Sequence, residues 1–122
     1  MQKLSFDELQ ARFSNEENDY DEHKFLITSD GTVFISEEPF NKTDTVSRLK
    51  TLSHKDWFHE LQGRREIDAS ETEETVTGGY AKNIGGSLEF WGESTTPIKG
   101  ATGKDFNKFI EDGAIVTQIR RE

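Results

Sequence analysis

The chain has 122 residues, 24 Asp plus Glu against 15 Lys plus Arg, and a formal net charge of −9. That surplus argues against unspecific nucleic-acid binding and against docking on anionic membranes. With no cysteine and 31% hydrophobic residues, a disulfide framework, a thiolate zinc site and a cysteine nucleophile are excluded, and one thin core is expected.

Ser5, with Glu8 three residues on, reads as a capping box opening a helix over residues 6–14, where Phe6, Leu9 and Phe13 share a face. Residues 15–23, with Glu16, Glu17, Asp19, Asp21 and Glu22 among them, are too charged to bury and read as a loop, which puts His23 at the surface. Residues 24–28 and 32–36 read as strands of a hairpin, because Asp30-Gly31 between them suits a turn needing positive φ. Residues 39–42 read as a connector and 43–52 as a helix carrying Val46 and Leu49.

Ser53, followed by Asp56, caps a helix predicted over residues 54–62, with Gly63 as its stop and His59 on its surface. Residues 64–74 read as an irregular polar stretch. A second hairpin joins strands 75–82 and 87–91 through Gly85-Gly86, with Leu88 and Phe90 on one face and Trp91 on the other. Residues 92–102 form a loop rich in Ser, Thr and Gly, residues 104–111 a helix with Phe106, Phe109 and Ile110 inward, and residues 114–120 a last strand. Hairpins interleaved with helices predict an α+β fold: one mostly antiparallel mixed sheet with helices packed on it. A single domain over residues 1–122 is expected, with an N-terminal helix and acidic loop (1–23) before a sheet-based core (24–122). No apolar run is long enough to cross a membrane and no secretory leader is read, so the expected compartment is cytoplasmic.

His54 is the leading candidate for chemistry. At the first position of a capped helix it lies among unpaired backbone N–H groups, which disfavour imidazolium and can hold a phosphate oxygen. His54 and His59 miss the spacing of a metal-binding histidine pair, so neither a metal nor another cofactor is expected. The loop from Glu93 to Lys104 has hydroxyls and lysines suited to an oxyanion, but it is not a Walker A motif: Ile98 stands where the first glycine belongs and Asp105 follows Gly103-Lys104.

Three segments, spread over residues 24–120, resemble the Janus/Ocnus family of phosphohistidine phosphatases. They are Ile27-Thr28-Ser29-Asp30-Gly31-Thr32-Val33-Phe34-Ile35, Ser53-His54-Lys55-Asp56-Trp57-Phe58, and Gly78-Gly79-Tyr80 followed by Leu88-Glu89-Phe90-Trp91-Gly92-Glu93-Ser94. The resemblance implies His54 as nucleophile or base on a phosphoryl group, and Ser94, Lys82, Gly79 and Tyr80 around the phosphate. Where the family pattern has an arginine after the glycine run, this chain has Tyr80, with Lys82 the nearest cation; Lys24 fills the family's first-strand lysine in only one register, and a later family histidine is missing near Thr102.

Two functions follow. The first is a metal-free phosphohistidine or phosphoamide phosphatase acting on a phosphorylated protein or a small phosphoamide, which requires His54 open to a cleft beside Ser94. The second is a non-catalytic acidic binding or inhibitor protein, phage-type or regulatory, which engages a basic protein surface; it requires massed carboxylates on one face and a covered His54. A phosphatase fold retained as a scaffold is a third.

Overall fold

In the computed structural model, the residues described are 2–3, 6–13, 21–41, 47–84, 87–92, 99–100 and 116–121. Their strands are β1 (Gln2–Lys3), β2 (Glu22–Ile27), β3 (Thr32–Ser36), β4 (Thr77–Ile84), β5 (Ser87–Gly92), β6 (Lys99–Gly100) and β7 (Val116–Arg120). Their helices are α1 (Phe6–Arg12) and α2 (His54–Gly63). The strands form one mixed sheet in the order β1-β7-β3-β2-β4-β5, with β6 beside β4. Pairing is antiparallel except between β3 and β7 and between β4 and β6. The fold is therefore α+β with a mostly antiparallel sheet, as the interleaved hairpins predict.

Alternation along the central strands divides the core into two layers. Phe25, Ile27, Val33 and Ile35 face α1, where Leu9 and Phe13 meet Ala81 and Leu88. Leu26 and Phe34 point the opposite way and pack with Trp57, Phe58 and Leu61 of α2, together with Leu49, Ile67 and Val76. Both faces of β2 and β3 are thus covered, and nearly every residue in them is buried.

The first hairpin forms as its sequence predicts. Gly31 takes φ 88°, and Asp30 Oδ1 accepts hydrogen bonds from Thr28 Oγ1 and from Thr32 N at 3.1 Å. Ser53 caps α2 by accepting from Asp56 N at 3.1 Å, and His54, Trp57, Phe58 and Leu61 form its buried stripe. In the second hairpin Leu88 and the partly buried Phe90 join the α1-side core, while Trp91 is 49% exposed.

Several local expectations are corrected. Strand β2 begins at Glu22, so His23 is buried rather than at the surface, with Nδ1 2.8 Å from Ser36 O and its ring 4.4 Å from Phe13. The charged run before it masks the strand start, because burial there comes from α1 and β3, which are distant in sequence. Within the span expected to be helical at 43–52, the described part holds only the 3₁₀ turn Arg48–Lys50, capped by Ser47. Gly63 does not end α2 by turning left-handed. Arg65 does so at φ 62°, with Arg65 N on Gln62 O and Glu66 N on Leu61 O, which is the Schellman pattern. Strand β4 runs from Thr77 rather than residue 75 because Thr75 and Val76 bond back to Thr72 O in a turn. The expected helix at 104–111 lies outside the described residues, and so does the expected oxyanion loop from Glu93 to Lys104 except for Lys99–Gly100, which form the short strand β6 beside β4 rather than loop.

The polar stretch after α2 is not loose filler. Ile67 and Val76 are buried in the α2-side core. Between them the Glu71 carboxylate accepts from Ser29 N at 2.9 Å and Ser29 Oγ at 2.5 Å, joining the stretch to the first hairpin. Gln62 donates to Asp68 O at 3.1 Å and Glu71 O at 2.8 Å. Arg120 of β7 grips Glu66 through both guanidinium nitrogens, a bidentate geometry that fixes orientation as well as charge.

Candidate functional site

The chemically distinctive side chains gather at the two ends of α2. At its N-terminal end, the Ser53 cap directs the His54 ring onto β4, where Nε2 donates to Gly79 O at 2.8 Å. A carbonyl only accepts, so Nε2 carries the proton, and in the neutral ring the lone pair lies on Nδ1. Tyr80 meets the His54 ring edge-on at 5.0 Å and stacks on Phe40 at 4.7 Å. Lys24 pairs with Tyr80 across the β2–β4 ladder, donates Nζ to Leu52 O and lies 5.4 Å above the Phe40 ring. Lys24 is only 5% exposed, no described carboxylate pairs with it, and desolvation pushes its pKa below 10.5.

This end brings together three of the residues expected around phosphate, His54, Gly79 and Tyr80, and adds Lys24. Lys82 lies one step along β4 on the same face, 3.7 Å from Glu22 Oε1 and 4.8 Å from the Trp91 ring. Ser94 lies outside the described residues. His54 is 1% exposed, whereas the catalytic reading asks for an open ring. Gly79 has a structural reason of its own: a Cβ there would fall 2.0 Å from Trp91 O and 3.0 Å from the Phe25 ring.

The C-terminal end is open and acidic. A recess of about 260 Å³ lies between the first hairpin and the stretch after α2, with Asp30, Glu66, Asp68 and Glu71 in its lining. A shallower hollow of about 440 Å³ adjoins it along α2 and adds Glu73 and Glu74. A hydrogen bond from Thr28 lowers the pKa of Asp30 below 3.8, and one from Ser70 does the same for Asp68, so both are charged at neutral pH. Glu66 is compensated by Arg120 and Arg64, and Glu73 by Lys55, with His59 Nε2 also 3.2 Å from Glu73 Oε1. Among the described residues no cation pairs with Asp30, Asp68, Glu71 or Glu74.

These carboxylates escaped selection from sequence as a site; Asp30 reads there only as a turn residue. In a chain with 24 acids, nothing local separates a massed carboxylate from a solvated one. The available signal was the pair of isolated apolar residues, Ile67 and Val76, that pin the acidic stretch to the core. No described group of three or more His, Cys, Asp or Glu has a metal-holding arrangement, and no described helix is long and apolar enough to cross a membrane. Comparison with family models, curated proteins and solved structures finds no match to this chain.

Proposed function

We propose that this chain is a non-catalytic acidic binding protein, phage-type or regulatory and acting in the cytoplasm, that engages a basic protein surface. The observation that carries this reading is the concentration of Asp30, Asp68, Glu71 and Glu74 around two adjoining hollows, without described counter-cations. Fixed carboxylates of one sign in a concave surface raise the local potential and steer a cationic partner onto it. The covered His54 accords with the same reading. The test is calorimetric titration with an oligolysine peptide at low and high salt, beside the Asp30→Asn/Asp68→Asn double variant. Salt-sensitive binding that falls at least tenfold in the variant supports the reading; binding equal in both proteins overturns it.

A second reading, metal-free phosphohistidine or phosphoamide hydrolysis at His54, is favoured by one observation. Residues far apart in sequence, His54, Gly79, Tyr80 and Lys24, converge at a capped helix N-terminus, with an ammonium that no described carboxylate neutralises. In that reading the Nδ1 lone pair attacks phosphorus as the P–N bond breaks and the amine leaves protonated, with water then releasing phosphate from the imidazole, or it takes a proton from a water that displaces the amine directly; Lys24, Lys82 and Ser94 balance the oxyanion charge. Phosphoramidate turnover in the presence of a chelator, lost in a folded His54→Ala variant, would establish it. No turnover in the parent protein would remove it.

A further inference from the structure

We draw no further inference here: the strongest candidate, the platform that exposed Trp91 on strand β5 forms with the Lys82 ammonium above its ring, is an outward-facing apolar patch, and nothing in the structure shows what covers it.

Discussion

The two ends of α2 differ in what they offer to solvent. The N-terminal end combines a histidine, a lysine and two aromatic rings, yet His54 and Lys24 are buried and bonded to main-chain carbonyls. The C-terminal end has a single exposed histidine, His59, and its carboxylates line open hollows. Residue type alone points to the first end, and accessibility points to the second. The contrast teaches that a reactive side chain can be consumed as a strut while ordinary carboxylates such as Asp30 and Asp68 are left lining an open recess.

If the closed end is a packed joint, substitutions there should be the most destructive. Gly79→Ala drives a methyl into Trp91 O and should cost about 3 kcal/mol in denaturant unfolding. An unchanged midpoint would break the picture of a tight joint. His54→Ala leaves Gly79 O without the imidazole donor in a buried site and should cost about 2 kcal/mol; a neutral result would release His54 for chemistry.

The open end should respond less. Arg65→Gly removes the left-handed strain after α2 and should raise stability by about 1 kcal/mol, read as a higher melting temperature. Asp30→Asn should cost about 0.5 kcal/mol at pH 7, a figure reduced for solvent screening. Because the folded pKa of Asp30 lies below 3.8, its contribution is complete above that value and disappears as pH falls through the folded pKa. The parent and the variant should therefore converge in acid unfolding. A gap that persists or widens there would detach Asp30 from this account.

Lys24→Met should have the smallest net effect at pH 7, because the lost bond to Leu52 O is offset by the lost cost of burying a charge. Its pH dependence is the sharper measurement. The folded pKa is lowered, so the unfolded chain holds the proton to higher pH, and Lys24 makes the parent more stable as pH rises toward 10.5. The methionine variant should lose that slope in denaturant titrations as pH rises toward about 10.5. Identical slopes in both proteins would mean that Lys24 is effectively solvated.

Much of this scaffold was legible locally. The Asp30-Gly31 turn, the Ser53 cap and the period-two pattern of Leu88 and Phe90 each act over a few residues, and each appears where local chemistry puts it. What escaped depends on contacts distant in the chain. The burial of His23 needs Phe13 and Ser36, and the anchoring of Glu71 needs Ser29. The left-handed residue after α2 escaped because Gly63 was the better local candidate, while the geometry of the following bonds selects Arg65. Of the candidate site, the approach of His54 to the glycine run was foreseen. The sequence admits His54 both open and covered, since enclosure is a property of the packed layers.

The place of β7 between β1 and β3 has a consequence for folding. The sheet interior is completed by residues 116–120, far along the chain from the β3 strand they pair with. Until they dock, β3 presents an unpaired edge carrying Phe34 and Ile35, the kind of edge that recruits other chains. Closing a pairing between strands so far apart in sequence is entropically costly and slow. A product truncated before residue 116 would keep that edge open and become a substrate for chaperones and proteases rather than a weaker version of the protein.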